Sequence, residues 1–189
     1  MINSKRDLAY YLEQDRLALH YFRKRPSIFK DEIWKFEILL RKSEYCTNCL
    51  NGLFFKPYSF WVKYKLYKLS LKLGFTIPIN HVGPGLSIAH YGLLTIGNAK
   101  IGKNCRIQEG VTIGATGGNA SAAVIGDNVY IGTGAKIIGN ISIADNVCIG
   151  AGSVVVKSIV QPGVTVAGVP AKVISLNGSK NFLDSRLDL

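Results

Sequence analysis

The rhythm of apolar and polar positions changes near residue 75. Before it, apolar residues recur at helical spacing. In "SKRDLAYYLEQDRLALHYF", Leu8, Leu12, Leu17 and Tyr21 fall near one face, and Ser4 stands where an N-cap belongs. The pattern predicts a helix that Pro26 ends. "DEIWKFEILLRKSEYC" opens with two acids, favourable at a helix N-terminus, and spaces Ile33, Phe36, Leu39 and Leu40 helically. Asn51-Gly52 marks a turn. "PYSFWVKYKLYKLSLKLG" begins with Pro57 and ends at Gly74, the usual asymmetry of a helix.

From about Thr76 the period becomes six. Stepping from Thr95 gives Ile101, Ile107, Ile113, Asn119, Ile125, Ile131, Ile137, Ile143, Ile149 and Val155, and nine of these eleven positions are Ile or Val. Glycine follows at 102, 114, 126, 132 and 150. Four residues after most of the stepped positions stands a small or branched residue, as at Ala99, Cys105, Val111, Val129, Ala135, Val147 and Ser153. A helix repeats near 3.6 and a strand at 2, so a period of six needs another geometry. A solenoid supplies it: each hexad is a short strand and a corner, and three hexads close a triangular coil of about 18 residues. The Ile or Val points inward and stacks on its counterparts. Such an array needs a cap at each end. The expected fold is mainly β, a parallel β-helix over 76–175, preceded by a helical region over 1–75 and followed by a tail over 176–189. The helical region is placed to cap one end. The tail either caps the other or hangs loose.

Two places break the hexad register: "GPGLSIAHYGLLTIG" before Thr95, and "GATGGNASAA", Gly114–Ala123, which puts Asn119 at an inward position. The second is read as a loop thrown out from the coil, and loops on rigid scaffolds commonly carry function.

These repeats, with "VAGVPAKVI" at Val166–Ile174, resemble the hexapeptide-repeat acyltransferases, in particular serine acetyltransferases and related polysaccharide O-acetyltransferases. The resemblance covers about residues 83–174. It implies a left-handed coil, against the general preference for right-handed crossovers. It implies acetyl-CoA as co-substrate, no metal, and a homotrimer with coenzyme A in a groove between two subunits. The flanks of His90, "SIAHYG", resemble the catalytic-histidine segment of this family. An imidazole suits the task, since acetyl transfer to a hydroxyl needs a base that works near neutral pH. His81 is a weaker candidate, and His20 lies in the first helix. One coil beyond His90 lies Gln108, or Glu109 if the register slips by one. Glu109 there either orients the ring or binds the acceptor, or is a solvated edge charge. By motif, the coil edges beside the pantetheine arm are Ala115, Thr133 and Ala151. Lys157 and Lys172 match positions that meet the cofactor phosphates.

Two departures bear on the acceptor. Serine acetyltransferases usually carry Asp before the catalytic histidine, where this chain has Ala89, and an Arg-His pair in the loop, where "GGNASAA" has neither. A zwitterionic serine then has few obvious charged partners. The reading put first is acetylation of a saccharide hydroxyl, as on a capsule or other polysaccharide precursor. Serine O-acetylation is the alternative, and a non-catalytic β-helix scaffold a third.

The net charge is +11, and from Tyr45 through Gln108 there are eight Lys and Arg and no acid. Such a region attracts anions, but no nucleic-acid-binding signature accompanies it. The helix over 54–73 interleaves Phe60, Trp61, Tyr64 and Tyr67 with Lys63, Lys65, Lys68 and Lys72. It either packs on the next segment with its lysines outward or makes peripheral contact with a membrane surface. No apolar run is long enough to span a bilayer, and the N-terminus lacks the apolar stretch of a secretory signal. A cytoplasmic location is expected, extending to the inner face of the membrane. Cys46 and Cys49 lack the further ligands that zinc needs. Cys105 reads as core, and Cys148 as exposed.

Overall fold

The computed structural model describes residues 1–117 and 121–187. The chain forms α1 (Lys5–Ala18), α2 (Glu32–Cys49) and α3 (Lys56–Leu73). Short strands follow: β1 (Phe75–Thr76), β2 (Ser87–Ile88), β3 (Leu94–Ile96), β4 (Lys100–Ile101), β5 (Arg106–Ile107), β6 (Thr112–Gly114), β7 (Val124–Ile125), β8 (Tyr130–Ile131), β9 (Lys136–Ile138), β10 (Ser142–Ile143), β11 (Cys148–Ile149), β12 (Val154–Val155), β13 (Thr165–Gly168) and β14 (Ala171–Ser175). They sort into three parallel sheets, β1-β3-β6-β9-β12, β4-β7-β10 and β2-β5-β8-β11-β13, with β14 antiparallel at the end of the third. The result is a left-handed parallel β-helix of triangular section.

The registers explain the hexad count. Ile131 pairs with Ile149, three hexads further along the chain. Ile107 pairs with Ile131, four hexads along, because the segment after β6 inserts one more hexad. The insertion has the length of the repeat, so the sequence stays in phase across it. Asn119, the stepped position inside it, lies outside the described residues. Thr95 is exposed and Ile96 is the inward residue of β3, pairing with Ile113. The slip that puts Thr95 out of line therefore falls between Ile96 and Ile101. Ile88 pairs with Ile107, one position more than three hexads along.

Ile107, Ile131 and Ile149 are fully buried in one stack, Ile113 and Ile137 in another. Burying each such side chain contributes about 1.5–3 kcal/mol. At one corner Gly102 lies so close to the next coil that an added Cβ would come within 2.7 Å of the Gly126 carbonyl carbon. At the same corner Asn104, Asn128 and Asn146 adopt positive φ of 56°, 57° and 59°. Asn104 Nδ2 donates to Asn128 Oδ1 at 2.9 Å, and Asn128 Nδ2 to Asn146 Oδ1 at 3.1 Å. This amide ladder escaped the sequence reading, although the recurring Lys-Asn, Asp-Asn, Asp-Asn pairs are its trace.

α2 and α3 close the first end, with Phe36, Leu40 and Leu73 joining the prism core and Phe36 packing edge-on to Phe75 at 5.2 Å. Ser4 caps α1 as expected, accepting from Asp7 N at 3.0 Å. Pro26 is not what ends α1. The helix stops at Ala18, His20 takes a positive φ of 63°, and Tyr21 stacks on Trp34 at 4.5 Å. Its buried stripe is Tyr11, Asp15 and Ala18 rather than the leucines. The tail neither caps the far end nor hangs loose. It runs back along the outside of the third sheet, where Phe182 stacks on Tyr130 at 4.3 Å and Asp184 meets His20 at 2.6 Å. Cys148, on that same outer face, is buried rather than exposed. Burial pushes the Cys105 thiol up to about 12, which suits a packing residue rather than a nucleophile.

Candidate active site

The third sheet brings the candidate residues together because its parallel strands all end at one corner. Ile88, Ile107, Ile131 and Ile149 are in register through β2, β5, β8 and β11. Two residues beyond each come His90, Glu109, Thr133 and Ala151, which therefore form one column on successive coils. The extra position between Ile88 and Ile107 puts Glu109, not Gln108, against His90. An added Cβ on Gly92, just after His90, would lie 3.3 Å from the Glu109 Cβ. The Glu109 carboxyl is held below its ordinary value by its own backbone N–H first, and then by the Thr133 hydroxyl and the His90 ring. Its Oε2 is buried with no hydrogen-bond partner, although the residue as a whole is half-exposed. His90 itself is exposed.

Ala115 does not share this edge. It follows β6, and through the registers of β6, β9 and β12 it stands in a column with Lys157 at the next corner. Lys172 lies on β14 with its side chain exposed. His81 Nδ1 is 2.6 Å from the Ala99 carbonyl oxygen, tying adjacent coils on another face. His20 is held between Asp184 and Arg106, the latter at 2.8 Å from Nε2.

A cleft of about 400 Å³ opens beside His90, lined by Tyr21, Lys30, Asp31, Glu32, Ala89 and Tyr91 among others. One wall comes from the segment joining α1 to α2, which sequence reasoning missed. Asp31 takes a positive φ of 65°, tolerated by a short polar side chain. Its carboxylate accepts from Ser27 N at 2.7 Å, from the Tyr21 hydroxyl at 3.0 Å and from Arg23. Burial works against its charge, but the Ser27 N–H, the tyrosine and the arginine outweigh that and keep the carboxyl below its usual range. The trace of this wall in the sequence is the run of charges of both signs in "FKDE".

Beneath β2, which leads into His90, lies a buried charge network. Arg41 is fully buried; its Nε donates to Asp15 Oδ2 at 2.7 Å and its Nη1 to Glu44 Oε2 at 3.2 Å. The same guanidinium donates to the Val82 carbonyl at 2.8 Å and the Gly83 carbonyl at 2.6 Å. Asp15 Oδ1 accepts from Gly85 N and Leu86 N at 2.8 and 2.9 Å. Glu37 Oε1 accepts from Ile88 N at 3.1 Å, just before His90 on the chain, while its Oε2 has no partner. Burial, reinforced by Asp15, pushes the Glu37 carboxyl well above its ordinary value, against the Ile88 N–H and Arg41. The helical region thus fixes the backbone of residues 82–88 by side-chain hydrogen bonds. Among the described residues no cluster of His, Cys, Asp and Glu is arranged to hold a metal.

Comparison with known proteins agrees with this architecture. Residues 122–157 match the family described as "Bacterial transferase hexapeptide (six repeats)". Serine acetyltransferase of Buchnera aphidicola subsp. Schizaphis graminum is 44% identical over 111 residues, which are 56% of this chain and 42% of that protein. The matched stretch is therefore less than half of that curated relative. The structure of serine acetyltransferase from Brucella abortus in complex with coenzyme A superposes with a TM-score of 0.68 at 31% identity, covering 93% of this chain and 70% of that one. Serine acetyltransferase of Neisseria gonorrhoeae in complex with serine gives 0.67 at 30%, covering 89% and 69%. With repeats, coil registers and relatives in agreement, the chain belongs to the hexapeptide-repeat acyltransferase superfamily and is similar to its serine acetyltransferases.

Proposed function

We propose that this protein transfers the acetyl group of acetyl-CoA to the hydroxyl of L-serine. The observation that carries the choice of acceptor is the cleft beside His90, which offers charges of both signs. Lys30 suits the carboxylate of an amino acid, and Asp31 and Glu32 suit its ammonium. The sequence reading put a saccharide first because the familiar charged partners of serine are missing from their usual places. Other partners come from the α1–α2 junction, and the solved relatives are serine acetyltransferases, one of them holding serine.

His90 acts as general base. As the serine oxygen attacks the thioester carbonyl, its proton passes to the imidazole. The tetrahedral intermediate collapses, the C–S bond breaks, and the CoA sulfur leaves with the proton from the imidazolium. Glu109, one coil away, steadies the ring and its positive charge. Thr133 and Ala151 continue the same edge for the pantetheine arm. Ala115, Lys157 and Lys172 serve the cofactor from elsewhere on the surface. Because Ala115 and Lys157 stand at a different corner from His90, a shared groove needs the corner of a second chain, which supports a homotrimer. Exposed Val124, Val160 and Val169 give apolar surface for such contacts. Light scattering is expected to report three copies, and a fully active monomer contradicts this.

A saccharide acceptor is the second reading, favoured by Ala89, an uncharged residue immediately before His90. The deciding assay measures CoA release from acetyl-CoA against L-serine and a panel of sugars. Serine is expected to give a kcat/KM at least about tenfold above any sugar, the discrimination a site built for polar groups readily reaches. Release with sugars alone overturns the serine reading.

A further inference from the structure

α3 packs inward through a narrow stripe, Val62, Leu66, Leu69 and Leu73, of which only Val62 and Leu73 are fully buried. Helical geometry of 3.6 residues per turn puts Phe60, Tyr64, Tyr67 and Leu71 on the opposite side. These four are 72%, 50%, 60% and 63% exposed, so the ridge is open to solvent along three turns. Phe60 and Tyr64 stack on each other at 6.4 Å, and Phe54, 90% exposed, extends the apolar surface past the start of the helix.

Lysines stand on both flanks of the ridge. Lys65, Lys68 and Lys72 lie on the side of a cleft of about 780 Å³ between α2 and α3, which also contains Trp61 and Leu71. Lys56 and Lys63 lie on the other flank, beside a second cleft with Phe60. α3 has no acid, and Glu32, from α2, is the acid lining the larger cleft, 3.5 Å from Lys72 and from Lys35. Lys65 Nζ sits 5.1 Å from the Trp61 ring centroid, which leaves the ring face presented together with positive charge. Among the described residues no helix is long and apolar enough to cross a membrane.

We propose that the outer face of α3 docks on an anionic lipid surface. The aromatic ridge enters the headgroup layer, and the two rows of lysines meet the lipid phosphates. Charge complementarity selects this occupant. A second copy of the chain would bring five lysines against five lysines, whereas an anionic leaflet neutralises them. Aromatic and basic side chains in this arrangement are those of helices that lie in the plane of the interface. This inference is independent of which hydroxyl is acetylated.

The test is co-sedimentation of the full chain with vesicles of phosphatidylcholine alone and of phosphatidylcholine mixed with phosphatidylglycerol, at low and high salt. Binding is expected only to the mixed vesicles and is expected to fall with salt. The variant Lys63→Gln/Lys65→Gln/Lys68→Gln/Lys72→Gln should bind about tenfold or more weakly, since each lysine near an anionic leaflet is worth several-fold. Phe60→Ser/Leu71→Ser should weaken binding with the lysines intact, and circular dichroism should report unchanged helix in both variants. Absence of sedimentation at low salt, equal binding to neutral vesicles, or indifference to the lysines overturns the proposal. So does a drop in assembly mass for Phe60→Ser/Leu71→Ser in light scattering without vesicles, which would assign the ridge to a second copy of the chain.

Discussion

Ile107, Ile131 and Ile149 stack through the prism with no polar side-chain atom to satisfy, whereas Asp15, Glu37, Arg41 and Glu44 fill the junction between the helices and the first coil, each almost wholly buried. The prism repeats one solution: branched side chains in register, close corners and backbone ladders. The junction is made once and has no repeat to lean on. Its end coil presents backbone N–H and carbonyl groups at residues 82–88 that helix residues answer with side chains. Apolar stacking tolerates small shifts, while a hydrogen-bonded charge network fixes positions. His90 lies at the border of the two, two residues beyond a strand that is paired to the prism and pinned by the junction.

The contrast breaks if the two regions respond alike to substitution. Arg41→Ala leaves Asp15 and Glu44 buried without their cation, and removal of one partner of such a network costs about 3–5 kcal/mol. Urea unfolding should show that loss, and a loss under about 1 kcal/mol means the network is not what holds the junction. Ile131→Ala in the middle of the stack is expected to cost about 2–5 kcal/mol. Because it leaves the junction intact, hydrogen-exchange protection of the Gly85 and Leu86 amides should persist in it and be lost in Arg41→Ala.

Glu37→Gln sharpens the comparison through pH. The folded protein holds this carboxyl protonated above the value it has when unfolded. Its contribution is therefore complete below the ordinary carboxyl range and declines as pH rises towards the raised folded value, by up to about 1.4 kcal/mol per pH unit. Glutamine does not titrate. Melting temperatures of wild type and Glu37→Gln should coincide near pH 4 and diverge at neutral pH, with the variant the more stable. A gap that is the same at both ends means that Glu37 is not protonated in the fold.

The prism was legible in the sequence because its period is enforced by packing at every coil. Even the insertion after β6 kept the phase, being one hexad long. The junction was not legible. A helical reading assigns charged residues to the outer face, and nothing in the sequence singles out Asp15, Glu37, Arg41 and Glu44 as buried. Arg41 and Glu44, three apart, look like an ordinary surface pair until Val82 and Gly83 are brought against them. His90 and Glu109 were within reach as residues about one coil apart. The cleft wall from Tyr21 and Asp31 was not, because it comes from an irregular segment far earlier in the chain than His90. Its shape depends on α1 stopping at Ala18, which no proline or glycine signals.

Acetyl transfer from this corner is tested most directly by serine-dependent CoA release from wild type and His90→Ala, measured side by side at saturating acetyl-CoA. Wild type is expected to release CoA in proportion to the serine acetylated, and His90→Ala to lose about 100- to 10,000-fold in turnover. Acetyl-CoA affinity should be nearly unchanged, since the edge proposed for the pantetheine arm is Thr133 and Ala151 rather than His90. Equal turnover in the two proteins would contradict the role assigned to His90.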